Sequence, residues 1–276
     1  MNKYYYERSG ILESKINITY HELFCKTDEE LDNWIEEVRQ YIIEDWDVRG
    51  VPPMVGQSID DIKNHNNLDY IIFATRPFEL TNVFKELKNA NFNKKSIAIS
   101  VIAGKKTEIF KKNLLNISKI VRVMPNMPAL IGEGVHCIYT NKSINKKEIK
   151  EIDKLFSLSG KTLFFNSETF IDKATAVSGS GPGFIFQLID IMEKSAINLG
   201  FSKNTAKILI NETFRGSLNL LNSNNISAEK MVETVATRGG TTEAGIKKMK
   251  INKVDNIFNQ VFKAAYTRAK QQGEGK

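Results

Sequence analysis

Residues 69–74 (DYIIFA) and 96–102 (SIAISVI) are apolar runs of strand length with almost no polar alternation. Such runs suit strands covered on both faces, as in a parallel sheet. Amphipathic stretches at 78–90 and 106–115 follow them, and a third apolar run occupies 117–124. Strand, helix, strand, helix, strand predicts right-handed crossovers and a parallel sheet with ligands at the C-terminal strand ends. Those ends fall at 74–77, 102–104 and 124–126. A further strand is expected at 134–140, a helix at 146–158 and a short extended piece at 162–166. Ahead of these, Ile16 to Phe24 alternates in part. Thr27 and Glu30 make a capping box before Leu31, Trp34, Ile35 and Val38 on one helical face, and 58–66 reads as a helical turn.

From about Ser167 the pattern turns wholly helical. Ser178, Gly179, Ser180 and Gly181 predict a tight loop that a ligand can approach closely, and Pro182 suits the first turn of a helix ending near Gly200. Between them Phe184, Ile185, Phe186, Leu188, Ile189 and Met192 cover most of the circumference. A helix apolar nearly all round is buried, often against a partner chain. Further helices are expected at 202–221, 227–236, 242–249 and 254–271, with Ser202 and Ser227 as N-caps.

Composition narrows the function classes. A chain of 276 residues, 41% hydrophobic and 26% charged, has room for one large or two ordinary domains. Its net charge of +7 comes from scattered lysines with no basic block interleaved with aromatics, so no nucleic acid is expected as a partner. Two cysteines, Cys25 and Cys137, exclude a disulfide framework or a cysteine zinc site and predict reduced thiols in a cytoplasmic protein. His21, His65 and His136 lack ligand spacing, so no metal is expected. No apolar run reaches bilayer length, and the start, MNKYYYERSG, has no signal-peptide core.

Four ordered stretches carry a specific resemblance: RVMPNMPALIGEG at 122–134, ETFIDKATAV at 168–177 leading into SGSGPGF, and TRGGTT at 237–242. Together they resemble pyrroline-5-carboxylate reductase over about residues 57–276. The resemblance implies a Rossmann-type α/β sheet with an altered first unit, followed by an all-helical dimerisation domain. It implies NADPH or NADH as cofactor, a small-molecule substrate, and a homodimer or higher homo-oligomer. Three segments follow: 1–56 without family likeness, 57–166 as an incomplete dinucleotide-binding domain, and 167–276 as the dimerisation and substrate domain.

The site residues come with the resemblance. Thr242 is expected near the imine nitrogen as the catalytic hydroxyl. Thr237, Gly240 and Thr241 are expected at the substrate carboxylate, where glycine-freed amides at a helix start bind anions, and Ser178 is expected alongside them. Ala74, Thr75, Arg76 and Pro77 match an Ala-Val-Lys-Pro stretch beside the nicotinamide; Ile102, Ala103, Gly104 and Asn126 line the same cleft. Thr75, Arg76 and Arg238 depart from the family's Val, Lys and Pro.

The N-terminus departs further. A dinucleotide-binding sheet ordinarily opens with G-x-G-x-x-G, yet the glycines before residue 100 are Gly10, Gly50 and Gly56. Recombination, structural imitation of the lost unit, or loss of hydride transfer would each account for this. Asp28, Glu29 and Glu30 at the Thr27 helix start would repel pyrophosphate, which argues against a working imitation. Losing two or three cradle amides would weaken coenzyme binding roughly a thousandfold. The rival reading is a non-catalytic paralogue that keeps the dimer scaffold.

Overall fold

The structure is a computed structural model that describes residues 68–90, 92–223 and 226–274. The elements expected in 1–56 and at 58–66 lie outside the described residues. Two compact units emerge: one runs up to Ser180 and takes in the chain from Ala265 onward, and the other is Gly181–Ala264.

The first unit is built on one sheet in the order β1 (Tyr70–Phe73), β2 (Ile97–Ser100), β3 (Lys119–Met124), β4 (Gly134–Thr140) and β5 (Gly160–Phe165). The first three strands are parallel, because the helices α1 (Leu80–Glu86) and α2 (Thr107–Asn113) carry the chain back between them. Phe73, Phe84 and Phe110 meet in edge-on and tilted contacts under those helices, with Phe73 and Phe110 centroids 5.0 Å apart. All three rings are buried, as the unbroken apolar runs require.

The sheet is not wholly parallel: β4 runs antiparallel to β3. Only the short 3-10 turn Met127–Ile131 joins them, too little chain for a crossover. α3 (Lys146–Ser157) then returns the chain across the opposite face, so β5 pairs parallel with β4. Asn145 and Glu148 close a capping box at the start of α3, and Ile152 and Phe156 enter the core.

α4 (Thr169–Ala174) continues into a π-turn, Thr175–Gly179. Ser178 to Gly181 therefore form no open loop. The Ser180 N–H reaches the Thr175 carbonyl at 2.8 Å, while the Thr175 and Ser178 hydroxyls bond back to the Ile171 and Ala174 carbonyls. Threonine and serine hydroxyls thus bond back onto the preceding turn where the helix widens.

The second unit is helical: α5 (Gly181–Asn198), α6 (Lys203–Ser223), α7 (Ala228–Val235), α8 (Thr241–Ile251) and the first part of α9 (Val254–Glu274). Ser202 and Ser227 cap α6 and α7 as expected. Burial here is sparse: α5 and α6 bury Pro182, Ala196 and Ala206, and α7 and α8 bury nothing. Phe186, Met192 and Leu199 are all exposed, Leu199 at 81%, whereas Phe184 and Ile189 are half-buried.

Candidate active site

Parallel strands bring their C-terminal ends to one sheet edge, and in the first unit that edge gathers the expected coenzyme residues. After β1, Ala74 and Arg76 are exposed and Pro77 is half-buried. The Arg76 N–H donates to Glu79 Oε2 at 3.2 Å, which sets the turn into α1. Thr75 Oγ1 is shielded from solvent and has no hydrogen-bond partner among the described residues.

After β2, the Ile102 N–H donates to the buried Ser100 hydroxyl at 3.3 Å. Gly104 takes φ +75°, the left-handed region, and Gly273 of α9 lies against it. A Cβ on Gly104 would come within 2.5 Å of the Gly273 nitrogen, so this contact requires glycine. After β3, Asn126 is buried, and its Oδ1 accepts the Val135 N–H at 2.7 Å. It ties the 3-10 turn to the first residues of β4. Ser178 reaches the same region, with its Oγ 3.7 Å from Cys137 Sγ on β4. Burial pushes the Cys137 thiol up, partly offset by the Ser178 hydroxyl.

The second unit holds the other group. Gly239 takes φ +75° and Gly240 is the N-cap of α8. Neither Thr241 nor Thr242 is the cap, because both already lie in the helix. The Ala244 N–H is the first to bond the Gly240 carbonyl, at 3.2 Å, so the amides of Thr241 and Thr242 point out of the helix start. Gly240 leaves room for Thr237: a Cβ there would come 2.8 Å from Thr237 Oγ1. Thr237 and Thr241 are exposed and Thr242 is half-buried.

Two features of the site were not anticipated from the sequence. Glu243 Oε2 accepts the Gly239 N–H at 2.8 Å, and its other oxygen lies 3.1 Å from Lys247. The Gly239 amide, then Lys247, hold its carboxyl below the usual range. The signal was available, since Glu243 stands three residues after the N-cap, the spacing of a capping box. The second feature is a buried charge cluster. Arg122 on β3 is 1% exposed; its Nη2 donates to Asp172 at 2.6 Å and its Nη1 lies 3.5 Å from Glu168. Glu168 also accepts the Thr107 N–H at 2.7 Å and the Thr107 hydroxyl at 2.9 Å. Among the described residues no group of acidic, cysteine and histidine side chains is placed to hold a metal.

The fold and these two groups define a class: a Rossmann-type dinucleotide-binding sheet followed by a helical unit with a glycine-rich turn at a helix start. Comparison with known proteins makes this specific. Residues 168–272 match the family described as pyrroline-5-carboxylate reductase dimerisation. The pyrroline-5-carboxylate reductase of Aquifex aeolicus is 35% identical over 182 residues, 66% of this chain and 67% of that protein. That of Pseudomonas aeruginosa is 30% identical, covering 75% of each chain. The chain belongs to the pyrroline-5-carboxylate reductase family.

Solved structures agree. A Plasmodium falciparum pyrroline carboxylate reductase with NADP bound superposes with a TM-score of 0.71 at 25% identity, covering 79% of this chain and 81% of that one. The Coxiella burnetii enzyme gives 0.70 at 27%, covering 88% and 85%. The Staphylococcus haemolyticus relative, 26% identical, aligns with 94% of this chain and 90% of its own length. Residues 57–276 are about four fifths of the chain, so that alignment extends into the segment expected to lack family likeness.

Proposed function

We propose that this protein reduces 1-pyrroline-5-carboxylate to proline with NADPH or NADH. The observation that carries the reading is the 35% identity to a named reductase over 182 residues, longer than any continuous run of either unit, so that it includes residues of both. When bound, the coenzyme supplies the hydride that reduces the imine carbon.

The residues at the sheet edge suit such a ligand. Thr75 offers a buried hydroxyl with no partner among the described residues, which fits a ligand carrying an amide or hydroxyl group. The backbone around Ile102 and Ala103, with Asn126 and Pro77, would wall the nicotinamide side. Arg76, exposed beside them, adds a cation for an anionic coenzyme.

On the substrate side, the Thr241 amide and the Thr237 hydroxyl would hold the carboxylate. The Gly239 amide is already taken by Glu243, which leaves the Thr241 and Thr242 amides for the ligand. Thr242 Oγ1 would hydrogen-bond the ring nitrogen. That nitrogen gains electron density as the C=N bond is reduced and ends protonated, so the contact strengthens along the reaction. Residues 167–276 would then supply substrate binding and a homodimer interface, and the two cysteines suit a cytoplasmic setting. Purified protein should oxidise NADPH or NADH only when the imine is present. Coenzyme binding without turnover would favour a non-catalytic scaffold instead.

A further inference from the structure

The start of α2 is held from a distance. Its N-cap position, Lys106, provides no side-chain acceptor, so the helix has no local cap. The acceptor comes from Glu168, 61 residues along the chain, which takes both the amide and the hydroxyl of Thr107. The same carboxylate faces Arg122 Nη1, and Asp172 takes Nη2. An arginine cannot shed its charge by deprotonation, so burying Arg122 at 1% exposure forces carboxylates to this place. One carboxylate therefore joins β3, the approach to α4 and the first residue of α2. Upstream of that residue, beyond Lys105 and Lys106, lie Ile102, Ala103 and Gly104.

We propose that Glu168 is a positioning residue for the coenzyme: by capping α2 from outside its own sequence it fixes the 102–104 loop at the end of β2. The inference rests on the coenzyme reading above. It predicts that the loop loses order without Glu168 while the sheet stays intact, because Asp172 still faces Arg122. Thr107→Pro provides a route to rescue. Proline at the first helical position has no N–H to satisfy and pre-sets φ. Lys106 already has the extended backbone, ψ 152°, that the residue before proline adopts.

The test uses Glu168→Ala, the milder Glu168→Gln, and Glu168→Ala/Thr107→Pro in the full chain. Hydrogen exchange without coenzyme should quicken at 102–108 in Glu168→Ala, with β3 amides unchanged. NADPH titration should give a dissociation constant raised about tenfold, corresponding to about 1.4 kcal/mol. Glu168→Gln should lie between parent and Glu168→Ala, and the double variant should regain most of the affinity. A purely structural role would weaken every variant alike, with no rescue by proline. Unchanged exchange at 102–108 in Glu168→Ala overturns the inference whatever the coenzyme does. Quickened exchange with unchanged NADPH affinity also overturns it and leaves the reductase reading standing. A parent that binds neither NADPH nor NADH sinks that reading and this inference with it.

Discussion

At the scale of single residues, the two threonines proposed to face the substrate should fail differently. Thr242→Ala should cut kcat more than it raises KM, since its hydroxyl meets the nitrogen where charge changes; Thr237→Ala, against the unreacting carboxylate, should mainly raise KM. One lost hydroxyl contact is worth about 1–3 kcal/mol, so steady-state kinetics should show effects from several-fold to about a hundredfold. Two variants that turn over like the parent would remove both threonines from the site. His136 gives a pH prediction. It is buried beside Phe156, and burial lowers its pKa from 6.5 to about 4 although Ser159 bonds the ring. The folded state holds it neutral while the unfolded chain protonates it. Stability is therefore complete above pH 6.5 and falls as pH drops toward 4, by up to about 3 kcal/mol. His136→Gln should flatten that slope in denaturant melts across this window, and an unaltered slope would rule His136 out as its source. Neither the Glu168 cap nor the Arg122 cluster was legible beforehand. Arg122, Glu168 and Asp172 all lie in recognisable motifs, but their partners are set by the β3–α4–α2 packing, and no local rule links Thr107 to a residue 61 positions away.

At the scale of elements, the readable parts were those with one strong local signal. Continuous apolar runs placed β1, β2 and β3 to within a few residues, because strands buried on both faces leave no polar alternation to blur. The helices of the second unit were equally legible from their periodicity and serine caps. The Ser178–Gly181 stretch reads as a loop in the sequence because its glycines signal a break, whereas hydroxyl back-bonding and the π-turn carry the helix through. The reversal of β4 was hidden as well, since direction follows from the short 124–134 connection and not from strand composition. The capping box of α3 can be tested by itself. Asn145 accepts from Lys147 and Glu148 while Glu148 accepts from Asn145. Asn145→Ala should cost about 1 kcal/mol in denaturant unfolding with coenzyme affinity unchanged. A loss near zero would mean that packing of Ile152 and Phe156 alone holds that helix.

At the scale of the molecule, the described residues of the second unit bury little apolar surface. Ile185, Phe186, Ile191, Ile208 and Leu218 on α5 and α6, and Leu199 just after α5, are exposed at 48% or more, and those helices bury little beyond small residues. Apolar surface this extensive exceeds what a soluble monomer tolerates, and the family match covers a dimerisation region. Light scattering should give twice the chain mass or a multiple of it at micromolar concentration, and a stable monomer would contradict the proposed homodimer. No described helix is long and apolar enough to cross a membrane, so that surface does not mark a helical span. On the proposed function, a chain without the usual glycine fingerprint still transfers hydride to the imine carbon. The most direct measurement supplies NADPH or NADH deuterated at both C4 positions, with pyrroline-5-carboxylate, and analyses the proline formed by mass spectrometry. The predicted result is proline carrying deuterium at carbon 5, in amounts equal to the coenzyme oxidised. Absence of proline, or proline without deuterium, would contradict it.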